Sequence, residues 1–164
     1  GNRGFGNGLC LPAGALRESL ERLDDADFVV ISSRMTNIKT KHRNYLMNYR
    51  PIEWARIADN KRFPADSWPL SRNVHAVAGI GNPAKFYKTL INLGLNPIQH
   101  SFPDHYQFKE EDLDFGDSLP IIMTEKDAAR CLDMDNKNLW YLSVEAKFED
   151  ETFEKTILEK IKAF

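Results

Sequence analysis

No Gly-Lys-Ser or Gly-Lys-Thr occurs anywhere in the 164 residues. The chain therefore has no Walker A loop, the segment whose backbone amides and lysine cradle a triphosphate. No apolar run approaches the roughly 20 residues that span a bilayer, and no signal-peptide pattern is visible. Cysteine is scarce: Cys10 and Cys131 are the only two. They lie far apart, match neither metal nor redox spacing, and point to a reducing compartment. Charge of either sign is not in excess, since the formal net charge is -2, which leaves no electrostatic footprint for nucleic acid. Repeats and low-complexity tracts are absent as well.

What is present is ordinary for a globular domain with a sizeable core: 42% hydrophobic and 28% charged residues. The first residue is not Met, and the opening "GNRGFGNG" reads like the middle of something, so a fragment of a longer protein is expected. Short apolar runs alternate with amphipathic segments. "ADFVVIS", "VHAVAGI", "NPIQHSF", "LPIIMT" and "NLWYLSVEAKF" read as strands, and "YLMNYRPIEWARIA" as an extended strand or hairpin. Helices are predicted over residues 14–22, from Pro83 with Asn82 as cap to Gly94, over "EKDAARCLDM", and over "DETFEKTILEKIKAF" with Phe153, Ile157, Leu158, Ile161 and Phe164 on one stripe. The "DNKRFPADSWPLSRN" segment reads as a connector and "KEEDLDF" as an acidic turn of helix. The alternation argues for α/β class: a three-layer, mostly parallel sheet with helices on both faces.

Three stretches carry candidate chemistry. "GIGNP" follows a strand but lacks the third glycine of a dinucleotide fingerprint. Gly79 and Gly81 then serve a tight turn, or contact a ligand at the carboxyl end of a parallel strand. "HSFPDHYQF" places His100, Asp104 and His105 on one loop. Their spacing fits no structural zinc pattern. A catalytic or orienting histidine–carboxylate pair fits better, because a loop histidine titrates near neutrality and a neighbouring aspartate fixes its tautomer; a capped turn with surface histidines is the alternative. In "MTEKD", Thr124 is a helix cap, Glu125 and Asp127 suit a helix start, and Lys126 could meet an anion. Arg17 and Glu18 form either a surface ion-pairing helix end or a phosphate contact. The basic stretch Arg34, Lys39, Lys41, His42 and Arg43 is a solvated face or a contact to anionic head groups.

Taken together and in this order, "RGFGNGLCLPAGALRE", "VHAVAGIGNPAKFYKTL", "HSFPDHYQF", "IIMTEKDA" and "LWYL" resemble the carboxyl-terminal half of the tetraacyldisaccharide 4'-kinases, the lipid A 4'-kinase family. The resemblance runs from near residue 3 to the end. It implies that residues 1–25 are a glycine-rich segment and linker from an amino-terminal P-loop domain, and that 26–164 are the carboxyl-terminal α/β domain of a P-loop-type kinase. It implies ATP-dependent phosphorylation of the 4'-hydroxyl of a lipid A disaccharide precursor, in peripheral contact with the cytoplasmic face of the bacterial inner membrane. ATP and Mg²⁺ would be bound mainly by the amino-terminal domain, no metal ligands would come from this chain, and the chain alone would be inactive. His105, beside Asp104, would face the active site and tune the base aspartate. Asn7, Arg17 and Glu18 would line the substrate or metal side; Gly79, Asn82 and Lys126 would be interdomain or nucleotide-side contacts. The rival expectation is a stand-alone α/β module that binds a nucleotide or sugar phosphate.

Overall fold

The computed structural model describes residues 5–32, 41, 43–134 and 136–162. Its elements run β1 (Val29–Ile31), β2 (Asn44–Arg56), β3 (Arg62–Pro64), β4 (Asn73–Ala78), α1 (Pro83–Asn92), β5 (Asn96–Ser101), β6 (Ile121–Thr124), α2 (Glu125–Ala128), β7 (Leu139–Phe148) and α3 (Phe153–Lys162), with 3₁₀ turns at Leu20–Asp25 and Glu110–Leu113. The chain divides into two units, Gly1–Arg50 with Ala146–Phe164, and Pro51–Glu145.

In the first unit β1 pairs in parallel with the start of β2, Val29 opposite Asn44 and Ile31 opposite Leu46. Tyr45, Phe28 and Phe148 close around Phe153, the one buried residue of α3. Of the rest of the expected α3 stripe, Ile157 is half-buried and Leu158 and Ile161 are exposed; Phe164 lies outside the described residues, as do Arg34, Lys39 and His42 of the basic stretch. The helix expected over 14–22 is replaced by a loop and the later 3₁₀ turn. The reason is local. Asn7 donates from Nδ2 to the Ala13 carbonyl at 2.9 Å, and a Cβ at Gly14 would overlap the Leu9 carbonyl and the Asn7 side chain. This folded-back loop, bridged from Cys10 to Leu16, leaves the segment's carbonyls no room for an i to i+4 ladder.

The second unit holds the parallel sheet. Its strands follow the order β2-β7-β6-β4-β5, and β3 pairs with β2. β4 lies parallel to both β5 and β6, and β6 parallel to β7; the β2–β3 hairpin is antiparallel, with β3 in what the sequence offers as a connector. β4 is buried from Val74 to Ala78, as a central parallel strand covered on both faces must be. Its alternation sends Val74, Ala76 and Ala78 to a cluster with Ile122 and the α1 residues Phe86, Tyr87 and Leu90. Val77 goes to the other face, with Met123, Leu139, Phe108, Leu113 and the α2 residue Ala128. Helical segments thus cover both faces of this sheet, and each fully buried side chain such as Leu90 or Ile122 contributes about 1.5–3 kcal/mol relative to exposure. α1 ends at Gly94, whose φ of 82° is left-handed. α2 is a single turn, shorter than the sequence predicts. Beyond Ala129 the backbone bonds become i to i+3 (Arg130 N to Asp127 O, Cys131 N to Ala128 O), because Cys131 is drawn into the core. There burial pushes its thiol up to about 11, so the thiol is inert near neutrality.

A part-buried polar cluster, with His75 at its buried end, sits on the second face. His75 Nε2 meets the Asp117 carboxylate at 3.1 Å, and its Nδ1 lies 2.9 Å from His100 Nε2. Phe115 stacks on both rings, each at 4.1 Å between centroids. Burial, and next the neighbouring His75, hold His100 below the usual 6.5. A histidine whose folded pKa is depressed takes up its proton more readily when unfolded. Its contribution to stability is present above 6.5 and is lost as pH falls through the lower folded value. The urea midpoint is accordingly expected to fall between pH 7 and pH 5, and His100→Asn to flatten that slope. A slope unchanged by the substitution would refute the assignment.

Candidate functional site

Two parallel strands of the second unit, β4 and β6, deliver their carboxyl ends to one place, where open α/β sheets bind ligands. β4 runs into Gly79. A Cβ there would lie 3.2 Å from both Asp127 Oδ1 and the Pro103 carbonyl, so any side chain would need its neighbours to give by a few tenths of an ångström. Its N–H donates to Asp127 Oδ2 at 3.0 Å, and its carbonyl accepts from His105 N at 3.2 Å. β6 runs into Thr124, which caps α2: its Oγ1 accepts from Asp127 N at 3.2 Å and donates to Asp127 Oδ2 at 2.6 Å. Asp127 is completely buried. Arg130 neutralises it, with Nη1 2.9 Å from Oδ1. Burial of a carboxylate is tolerable only with such a set of donors.

The loop after β5 crosses this platform. Tyr87 on α1 fixes its approach by donating to the His100 carbonyl at 2.8 Å. His105 then turns the corner with a φ of 64°, a left-handed value for which histidine is among the better-tolerated side chains. Its ring is 69% exposed and lies between two cations. Arg130 Nη2 is 3.2 Å from Nδ1, and Lys126 Nζ is 3.4 Å from Nε2. Lys126 also donates to Asp104 Oδ1 at 3.2 Å. That bond, chiefly, holds the Asp104 carboxyl below the usual carboxylate range, so Asp104 is ionised at neutral pH. An exposed imidazole held beside a carboxylate and two cations can orient, accept or donate a proton at a reacting group. Among the described residues no three His, Cys, Asp or Glu side chains are arranged to hold a metal ion.

Four residues singled out in the sequence are therefore brought together: Gly79, Asp104, His105 and Lys126. Asn82 stands at the cap position of α1, exposed, but its side chain makes no capping hydrogen bond. Asn7, Arg17 and Glu18 belong to the first unit. There Asn7 accepts from Leu9 N at 3.1 Å as well as bonding Ala13, Glu18 pairs with Arg22 at 3.0 Å, and Arg17 is exposed. Sequence reasoning assigned Asp127 only to a helix start and passed over Arg130. The available signal was Thr124-x-x-Asp127, a capping-box spacing, though here the carboxylate turns inward to Gly79.

Comparison with known proteins gives a consistent result. A family model described as tetraacyldisaccharide-1-P 4'-kinase matches residues 1–162. A protein from Hahella chejuensis named tetraacyldisaccharide 4'-kinase is 41% identical over 153 residues, 93% of this chain and 44% of that protein. One of the same name from Legionella pneumophila is 44% identical over 154 residues, 94% of this chain and 45% of its own length. Among solved structures, LpxK from Aquifex aeolicus in complex with ATP aligns with a TM-score of 0.71 at 28% identity, over 94% of this chain and 49% of that one. The chain thus spans less than half the length of these curated relatives.

Proposed function

We propose that this chain, which belongs to the tetraacyldisaccharide-1-P 4'-kinase family, supplies the carboxyl-terminal half of a lipid A kinase. The whole enzyme moves the γ-phosphoryl group of ATP onto the 4'-hydroxyl of a tetraacyldisaccharide 1-phosphate. The observation that carries this reading is the left-handed His105 corner at the strand ends, clamped by Lys126 and Arg130 over buried Asp127. Phosphoryl transfer needs positioning and charge stabilisation more than covalent help, and a fixed, exposed imidazole beside an ionised Asp104 supplies both at one edge of a cleft. His105 orients the group that takes the acceptor proton, and Lys126 keeps Asp104 and the ring in place. Gly79, Asn82 and Lys126 face the nucleotide side. Asn7, Arg17 and Glu18, in the other unit, are taken as contacts to the substrate or metal, and the exposed Arg17 guanidinium suits a phosphate.

The residues present do not fit a triphosphate cradle, because no Gly-Lys-Ser/Thr segment exists in the sequence. For Mg²⁺, no three His, Cys, Asp or Glu side chains among the described residues are arranged to hold it by themselves. Both belong in this reading to an amino-terminal P-loop domain that partners this chain. The acylated acceptor places the reaction at the cytoplasmic face of the inner membrane, reached peripherally; among the described residues no helix is long and apolar enough to cross a membrane. The test is to join this chain to the part of the Hahella relative that it does not cover. Transfer of label from γ-³²P-ATP to the 4'-position is expected, and a folded but inactive chimera would reject the proposal.

A further inference from the structure

An exposed histidine on a surface corner ordinarily samples several rotamers and both neutral tautomers. His105 is held at two points instead. Its backbone N–H is bonded to the Gly79 carbonyl, and its ring Nδ1 faces Arg130 Nη2 at 3.2 Å. The guanidinium that makes this contact is itself fixed, with a side chain 15% exposed and its other nitrogen on the wholly buried Asp127 at 2.9 Å. Both anchors lead back to one carboxylate, since Gly79 N also bonds Asp127.

We infer that Arg130 is a positioning residue that locks His105 into the Nε2–H tautomer. An arginine carries protons on every guanidinium nitrogen at accessible pH and has no acceptor. Nδ1 must therefore meet it with a lone pair, and a neutral imidazole with a bare Nδ1 carries its proton on Nε2. An imidazolium would set an Nδ1–H against the Nη2–H. Lys126 does not reverse this choice. At 3.4 Å from Nε2 its ammonium is a donor facing a donor, and it has an acceptor in Asp104 Oδ1 at 3.2 Å. The other groups around the ring are Asp104, with Oδ2 3.9 Å from Nε2, and Asp127 behind Arg130. His105 thus serves as a neutral hydrogen-bond donor to an anionic or developing-anionic oxygen, rather than as an imidazolium. Lysine could not replace the arginine, because one ammonium cannot span the 127 carboxylate and the ring as the planar fork does.

This assignment of a catalytic purpose rests on the kinase reading, but its geometry does not. Two-bond ¹H–¹⁵N correlation spectra of the uniformly labelled chain at neutral pH report the tautomer of each of the four histidines. Wild type is expected to show His105 with an unprotonated Nδ1 and a protonated Nε2. Arg130→Lys, in a chain whose other amide resonances stay in place, is expected to move both ring nitrogens towards the averaged values of a free imidazole. A wild-type Nδ1–H tautomer overturns the inference without any variant, and so does an unchanged His105 signature in Arg130→Lys. In the chimera, Arg130→Lys should lower kcat by about 10–10²-fold, the cost of a misplaced group, with KM for ATP unchanged. An inactive wild-type chimera would remove the kinase reading while leaving the tautomer result to stand or fall alone.

Discussion

Asp127→Ala is expected to destabilise the second unit by about 3–5 kcal/mol, the cost of breaking a buried, hydrogen-bonded ion pair from one side. The carboxylate is completely buried and satisfies three donors at once: Gly79 N, the Thr124 hydroxyl and Arg130. Truncation leaves an amide, a hydroxyl and a guanidinium without their acceptor, and each unmade buried bond adds to the loss. Asp127→Asn keeps one oxygen for Gly79 and Thr124 but turns an amide towards Arg130, so its cost should be smaller, about 1–3 kcal/mol. Urea unfolding followed by tryptophan fluorescence measures both, because all three tryptophans, Trp54, Trp68 and Trp140, lie in the second unit. An Asp127→Ala midpoint equal to wild type would mean that the carboxylate is not the anchor of this site.

Why Asp127 escaped the sequence reading is instructive. On the sequence, an acidic residue early in a helix is fully explained by the helix dipole, and nothing local says that α2 lasts one turn and sends this side chain inward. That fact depends on Gly79, 48 positions away along the chain, and no periodicity encodes such a pairing. Elements built on local pattern were legible: β4 as a continuous apolar run, α1 from Pro83 to its left-handed Gly94 stop, β6 as a buried strand and β7 as an alternating one. So was the α/β class, since strand and helix patterns alternate. The failures have causes that a periodic pattern does not carry. The 14–22 helix yields to the loop that Asn7 ties together, β3 is visible only once β2 is there to pair with it, and the α3 stripe is apolar without being covered within its unit. At the site, Asp104 and His105 were legible as neighbours on one loop. Lys126 was legible as a stray cation at a strand end, whereas its contact with Asp104, 22 residues distant, was not.

The second large effect is catalytic. His105→Ala in the chimera is expected to lower kcat by about 10²–10⁴-fold, the range for a lost acid–base or orienting partner. KM for ATP should be nearly unchanged, because the proposed function puts the grip on the triphosphate in the amino-terminal domain. Alanine at a φ of 64° lacks the polar side chain that favours the left-handed region in histidine, so the corner itself is loosened as well as the imidazole lost. His105→Asn removes that ambiguity, since asparagine tolerates the left-handed region. Both variants should lose turnover together. The ring is 69% exposed, so the Asn variant should keep its urea midpoint, the opposite of the pattern for Asp127. Full activity in His105→Asn would show that the imidazole has no part in the reaction.

The central claim is that this chain brings an ordered wall to a phosphoryl-transfer cleft and no cradle for the phosphate. The transfer assay on the isolated chain, run beside the chimera with the same ATP and disaccharide, tests it most directly. The account predicts labelled 4'-phosphate from the chimera and none from the chain alone. Product formed by the isolated chain would contradict it.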